Sequence, residues 1–453
     1  MKKPNILFIM TDQMRYDAMG HTGGWVKTPN LDRIAAEGIS FSNCVTTSPV
    51  CMPARITMAT GLYPHNTGIW DNCKYTLPLD SKTWMQVVRD SGYRTALIGK
   101  THLYDHTSNW DLRDASRLHA YGIQDVNEIG GPRASAHVQS HMTEEWNAKG
   151  VWQDYRDDYS ERFANKAHTV RPSALSIDDY ADIYVGRKAK EYLENYKRDE
   201  PWCCWVSFGG PHEPWDTPEP YASMYNPQEM PPPIPAAEEE FESQRMSRIT
   251  RPEFEENDIA EMRANYAGNV TLIDEQIGRL ISVLEKRGEL DSTVIIFTSD
   301  HGEMNGDHGA VYKGIFYDSA VRVPMLIQAP GTINEAAAGS ICSSPVEWSD
   351  AGPTIVDLIG GEIDYRQFAK SMLPTLKDPS ETHRDEAISE IGGEYMVMTQ
   401  TWKLCINDHK QPYALFDRIN DRCEQRNMVK DTSCQDIVTD MMRRLEIRIE
   451  NCS

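Results

Sequence analysis

Hydrophobic positions along the chain gather in short continuous runs separated by longer amphipathic stretches. Residues 5–10, 95–98, 202–208, 294–298 and 324–327 are dominated by apolar and β-branched side chains. Runs this short predict strands buried on both faces. Between them, residues 30–37 (ending at Gly38), 81–90 (before Gly92), 178–196 and about 256–286 (stopping near Gly288) predict helices. Strand alternating with helix predicts an α/β fold, a large and mainly parallel sheet sandwiched by helices.

The pattern changes in three places. Residues 105–171 are polar and rich in Trp, without a clear period. Pro231, Pro232 and Pro233 lead toward Glu238, Glu239 and Glu240, which predicts an extended surface loop followed by a solvated helix start. Beyond about residue 365, strands at 394–399, 402–406 and 414–417 precede a final helix at 433–449. This predicts a smaller C-terminal α+β domain containing an antiparallel sheet, and divides the chain into 1–365 and 366–453. There is no internal repeat.

Composition narrows the function classes. The 453 residues hold 40% hydrophobic and 25% charged side chains, an ordinary globular balance. Lys and Arg number 46 against 68 acids, a net charge of -22, which argues against nucleic-acid or anionic-membrane binding. The apolar run at 6–10 is too short for a signal-peptide core, and nothing approaches the roughly 18 apolar residues of a membrane span. The expectation is a cytoplasmic protein. The ten cysteines show no paired zinc spacing, and Cys203-Cys204 lie within a predicted strand, so buried free thiols are expected.

Candidate chemistry collects at strand ends. Asp12-Gln13 follows the first run, Lys100 and His102 the second, His212 the third, and Asp300-His301 the fourth. Ligands of open α/β sheets bind along this edge. Polar loops would account for any one of these positions, though not for the set.

A short segment makes the chemistry specific. Cys51-Met52-Pro53-Ala54-Arg55, followed by Thr60-Gly61, resembles the maturation signature of the type I sulfatases, within the alkaline phosphatase superfamily. The resemblance extends through Pro4 to Gln13, Gly99-Lys100-Thr101-His102, Pro211-His212-Glu213-Pro214 and Ser299-Asp300-His301-Gly302-Glu303. It continues through Gly306-Asp307-His308-Gly309, Lys313-Gly314 and the tail Leu415-Phe416-Asp417…Asp421…Glu424…Asn427.

The resemblance implies that Cys51 is oxidised to Cα-formylglycine by a formylglycine-generating enzyme. The hydrated aldehyde is then the nucleophile, and its second hydroxyl allows sulfate to be expelled. Asp12, Gln13, Asp300 and His301 are the implied ligands of one divalent cation, Ca2+ first, with Mn2+ or Mg2+ as alternatives. Arg55 would hold the diol and the carboxylates, and Lys100 and Lys313 the sulfate oxygens. His102 is the implied base for sulfate release and His212 the acid toward the leaving alcohol. Asp307 and His308 fit a catalytic or a structural role equally, and Arg15 and Asp17 are candidates to support the metal shell.

The expected substrate is a sulfated small molecule or saccharide. Trp70, Trp110, Trp146, Trp152 and Trp215 are possible sugar-stacking faces, and His106 and Arg113 possible readers of neighbouring groups. The Gln13 and His301 pair also occurs in related phosphonate monoester and phosphodiester hydrolases, which form the alternative enzyme class. A catalytically silent binding protein is a third reading, opposed by the intact set of Cys51, Arg55, Lys100, His102, His212 and Lys313.

Overall fold

The computed structural model describes residues 3–72, 75–106, 110–165, 168–236 and 241–452. Its frame is an eight-stranded sheet made of β1 (Asn5–Thr11), β2 (Ile39–Phe41), β3 (Arg94–Gly99), β4 (Asp125–Glu128), β5 (Trp202–Ser207), β6 (Thr293–Ser299), β7 (Met325–Gln328) and β8 (Ser340–Cys342). The strand order is β4-β3-β5-β1-β6-β7-β2-β8. β1 lies at the centre, parallel to β5 on one side and β6 on the other.

Alternation along each strand sorts the core into two layers. Leu7, Ile9, Ile98, Val206 and Phe297 face the helices Pro29–Glu37, Ala181–Asn195 and Asp258–Arg287. Ile6, Phe8, Met10, Leu97, Trp205 and Ile296 face Cys51–Thr60, Trp84–Asp90 and Ala351–Leu358. The consecutive Cys203 and Cys204 therefore point to opposite layers, and the described cysteines are free thiols. Among the described residues no helix is long and apolar enough to cross a membrane.

β7 departs from the parallel expectation. It runs antiparallel to both β6 and β2. The chain between β6 and β7 contains only short helical turns, so no crossover helix carries it back for a parallel pairing.

The C-terminal strands β9 (Ala387–Ile391), β10 (Glu394–Met398), β11 (Trp402–Ile406) and β12 (Pro412–Asp417) form an antiparallel meander. One face, with Ile388, Val397, Leu404 and Leu415, packs on Val438, Met441 and Leu445 of the final helix Gln435–Asn451. The other, with Ile391, Met396 and Phe416, shares a core with Val45, Val50, Met304 and Phe316 from the larger unit. The meander is thereby pressed against the loops that carry the strand-end residues. The prolines 231–233 lie in irregular chain, with the carbonyls of Pro231 and Pro232 accepting from Arg263. The glutamate helix start falls outside the described residues.

Candidate active site

The site grows from the central strand ends. β1 delivers Asp12 and Gln13, and β6 delivers Asp300 and His301 beside them. β3 ends at Gly99, whose φ of +115° suits glycine alone, and a Cβ there would meet the Ser207 carbonyl at 1.8 Å. Lys100 follows at once. Gln13 (φ 71°) and His102 (φ 56°) occupy the left-handed region that side chains rarely adopt, a local strain held by their surroundings.

Cys51 opens a helix whose ten residues are all buried. Val50 caps it in extended conformation, Pro53 fits the first turn, and Gly61 closes it with φ 73°. Arg55 lies one turn after Cys51 on the same face. Its guanidinium donates to Asp300 Oδ2 at 2.7 Å, Asp12 Oδ2 at 3.1 Å and the Lys100 carbonyl at 2.9 Å. Three strand ends are thus tied to the cysteine helix by one side chain.

Ligating atoms of Asp12, Cys51, Asp300 and His301 lie within 4.8 Å of one another, all buried. Cys51 Sγ is 3.1 Å from His301 Nε2 and 3.7 Å from Asp12 Oδ1. His301 Nδ1 is 3.0 Å from the Gly302 carbonyl. A carbonyl can only accept, so Nδ1 carries the proton and the Nε2 lone pair faces the cluster, where it can accept from the Cys51 thiol or ligate a cation. Asp300 Oδ1 accepts from the amides of Gln13 (3.0 Å) and His301 (2.9 Å). Two carboxylates, an imidazole and a sulfur on so small a sphere suit a divalent cation.

Gln13 sits at the rim of this cluster. Its Nε2 donates to Glu213 Oε2 at 2.7 Å and to Glu303, and its Oε1 accepts from Lys313 Nζ. Lys313 also reaches His212 Nε2 at 2.7 Å, while His212 Nδ1 is 2.6 Å from the Glu213 carbonyl. Lys100 Nζ pairs with Asp12.

These charges shift the acids and bases. Burial opposes ionisation of Cys51, yet Lys100, Lys313, His301 and the contact with His102 together pull its thiol well below the ordinary value. Burial also raises Asp12, and Cys51 adds to that, but Lys100, His212 and Arg55 hold it below the usual carboxylate range. Burial pushes His102 down to about 4, helped by Lys100 and His106 against the pull of Cys51, leaving a neutral base at the cavity wall.

A cavity of about 590 Å³ opens over this group, lined by Cys51, Lys100, His102, His106, Arg133 and His212 among others. His106 is 1% exposed and stacks on His102 at 5.3 Å; its Nε2 lies 3.4 Å from Glu128 Oε1, and neither ring nitrogen has a hydrogen-bond partner among the described residues. A second cavity of about 250 Å³ adjoins it and shares Asn72, Arg133 and His212. A groove of about 670 Å³ beside the final helix, lined by Trp402, Asp440 and Arg444, holds none of the candidate residues.

Several expected positions lie elsewhere. None of Trp70, Trp110, Trp146, Trp152 and Trp215 lines either cavity. Trp146 and Trp215 are buried in the core, and Trp152 lies under the Arg156 guanidinium at 3.7 Å. Among the described residues Tyr159 lines the first cavity and Tyr312 the second. Arg113 is turned to Asp111, Glu144 and Gln139. Arg15 pairs with Asp17 and Asp307 rather than with the ligand cluster. Asp307 also binds Arg263 at 2.6 Å, and the His308 ring stacks on Tyr317 at 3.7 Å. Sequence reasoning missed Arg133 and Glu213 as site residues, although Glu213 stood next to His212.

Comparison with known proteins bears on the family and the fold. The family model described as "Sulfatase" matches residues 4–361. A second, "N-sulphoglucosamine sulphohydrolase, C-terminal", matches residues 306–451. An arylsulfatase of Clostridium perfringens is 28% identical over 98% of this chain and 94% of its own length. The phosphonate monoester hydrolase of Agrobacterium radiobacter superposes with a TM-score of 0.78 at 24% identity, covering 100% of this chain and 96% of that one. A structure solved with its substrate D-glucosamine-2-N,6-O-disulfate gives 0.76 at 24% identity, covering 100% and 98%.

Proposed function

The chain belongs to the sulfatase family, and from that premise we propose that it hydrolyses the sulfate ester of a carbohydrate through a formylglycine derived from Cys51. The observation that carries the proposal is the buried convergence of Cys51 with Asp12, Asp300, His301 and Arg55 beneath a cavity edged by Lys100, His102 and His212. A saccharide is favoured by the cavity volume and by the relative solved with a sulfated glucosamine.

Asp12, Asp300 and His301 would hold a divalent cation, with Gln13 Oε1 as the remaining expected oxygen donor and Ca2+ the first choice over Mn2+ and Mg2+. A bound cation would supply Lewis-acid polarisation of a sulfate oxygen and favour an ionised nucleophile, and loss of the second hydroxyl's proton would let sulfate leave with the C–O electron pair as the aldehyde reforms.

The chain's own residues supply the rest. Arg55 fixes Asp12 and Asp300 so that both carboxylates face the nucleophile position. Lys100 and Lys313 place ammonium groups where charge develops on the transferring sulfate. His102, neutral above about pH 4, takes a proton from the second hydroxyl. His212 donates through Nδ1 to the Glu213 carbonyl and accepts from Lys313 at Nε2, so a proton from Lys313 would pass through this imidazole to the leaving alcohol oxygen.

The test is peptide mass spectrometry across Cys51 on protein made with a formylglycine-generating enzyme, joined to rates on sulfated sugars. Conversion removes roughly 18 Da. Turnover by converted protein and its loss in Cys51→Ala are expected; converted protein inert toward every sulfate ester would overturn the proposal. A phosphonate monoester or phosphodiester hydrolase is the second reading, favoured by Gln13 and His301 and by the phosphonate hydrolase likeness. A diester rate exceeding the sulfate rate would select it.

A further inference from the structure

The two adjoining cavities divide the reactive group from a cluster of guanidinium groups. Cys51, Lys100 and His102 line only the first; Arg245, Arg248 and Lys313 line only the second; Asn72, Arg133 and His212 line both. His212, the expected acid toward the leaving alcohol, therefore stands at the junction. A sulfate seated over Cys51 leaves its alcohol at that junction, and a ligand longer than one sulfate group enters the second cavity.

That second cavity is cationic on a chain whose net charge is -22. Its acids are few and already paired: Glu213 with Arg133, and Asp71 with Arg245 at 2.7 Å. Lys313 is committed to Gln13 and His212. Arg248 is exposed and has no side-chain partner among the described residues. Asp71 is about half exposed (48%), so its hold on Arg245 is that of a solvated pair, easily exchanged for a ligand.

Arg245 is nevertheless firmly placed. Ser243 Oγ accepts from the amides of Arg245 and Met246 and donates to Glu394 Oε2 at 2.7 Å. Glu394 Oε1 accepts from the Arg245 amide at 3.1 Å. The guanidinium lies over Gly392, where a Cβ would come within 2.2 Å of Nη2. The turn between β9 and β10 carries a glycine in the left-handed region here (φ 58°), and its missing side chain leaves room for the guanidinium. An ordered planar fork on a glycine bed suits a carboxylate or sulfate, which it meets with two parallel hydrogen bonds.

We propose that Arg245 and Arg248 form a second anion subsite, so that the preferred substrate carries, besides the scissile sulfate, another anionic group on its leaving-group side. This rests on the sulfatase reading above and names the substrate class more narrowly. Overall negative charge repels dianions at a distance, so a local cationic wall is what admits them.

The experiment compares kcat/KM of wild type, Arg245→Ala, Arg248→Ala and Arg248→Glu on four sulfates. They are 4-nitrophenyl sulfate, D-glucosamine 6-O-sulfate, D-glucosamine 2-N,6-O-disulfate, and 6-O-sulfated glucosamine linked to glucuronate. The last two ask whether the second anion is sulfate or carboxylate. Wild type should prefer at least one doubly anionic probe, and the variants should lower that preference, relative to 4-nitrophenyl sulfate, by roughly ten- to hundredfold, mainly through KM. Arg248 is exposed, so its variants test the subsite if Arg245→Ala folds poorly. No dianion preference in wild type, or equal losses on all probes, would overturn the subsite while leaving the sulfatase reading intact. Converted wild type inert toward all four sulfates overturns both.

Discussion

Asp300-His301-Gly302 and Asp307-His308-Gly309 are the same tripeptide in neighbouring positions, and they serve opposite ends. The first leaves the central strand β6. Its carboxylate and imidazole face Cys51 and Asp12, with Arg55 on the far oxygen. The second lies in a loop behind that strand. Its carboxylate is clamped by Arg15, Arg263 and Ser319, and its imidazole lies flat on Tyr317 in a left-handed backbone conformation (φ 53°). Burial of the same residue types produces either a site or a brace, depending on whether other ligating side chains converge on them or two guanidinium groups and a tyrosine ring occupy them.

Four measurements break or sharpen this contrast. The largest effect belongs to the first triplet: Asp300→Asn or His301→Ala should lower kcat/KM on 4-nitrophenyl sulfate by about 10^3-fold or more, as loss of one member of a catalytic unit does. Asp307→Asn should cost far less activity per folded molecule. Equal losses would erase the distinction.

Stability should show the reverse order. Asp307→Asn leaves Arg15 and Arg263 buried without their shared carboxylate, a loss on the order of 3–5 kcal/mol. Urea midpoints read it directly, and an unchanged midpoint would show that Asp307 is no brace.

Cation binding comes next. After chelation, Ca2+ at about 100 times its Kd should stabilise wild type by about 2.7 kcal/mol. Thermal melts should show that gain in wild type and in His308→Phe but not in Asp300→Asn. Parallel melts with Mn2+ and Mg2+ rank the metals, and a gain surviving in Asp300→Asn would place the ion elsewhere.

The smallest effect is a pH slope. Burial, with Lys403 and Arg251 and against Asp307, pushes His308 down to about 4 from the usual 6.5. The unfolded chain thus takes up this proton at a higher pH than the native one. Stability present above about pH 6.5 is lost as pH falls toward about 4. His308→Phe keeps a ring against Tyr317 and carries no proton, so it should lose ~1–3 kcal/mol less between pH 7 and 4. Identical slopes would remove His308 from the acid response.

Legibility followed the same physics. β1, β3, β5 and β6 read clearly because strands covered on both faces are apolar at nearly every position. Residues 105–171 did not read, although they contain the helices His141–Lys149 and Trp152–Asn165. There Trp146 and Tyr155 are core, while Arg162 is buried among the carbonyls of Arg171, Pro172 and Trp215, so no clean apolar face exists to detect. The tryptophans looked available for sugar because exposure is invisible in a composition. Arg133, Arg245 and Arg248 belong to no motif that ties them to the strand ends, so nothing in the sequence marked them as neighbours of the site.

Local order and residue type determined the strands β1, β3, β5, β6 and β7, the cysteine helix with its Pro53 and Gly61, and the membership of Asp12, Lys100, His212 and Asp300 at strand ends. Each depends on interactions within a few residues or on a periodicity that burial imposes. Tertiary structure alone decided that Asp307 and His308 form a brace, that Gln13 bridges Lys313 to two glutamates, and that the Arg245 guanidinium lies over Gly392 beside the cavity. Those outcomes are contacts between segments far apart in the chain, and only closure of the two cores brings such segments within hydrogen-bond distance.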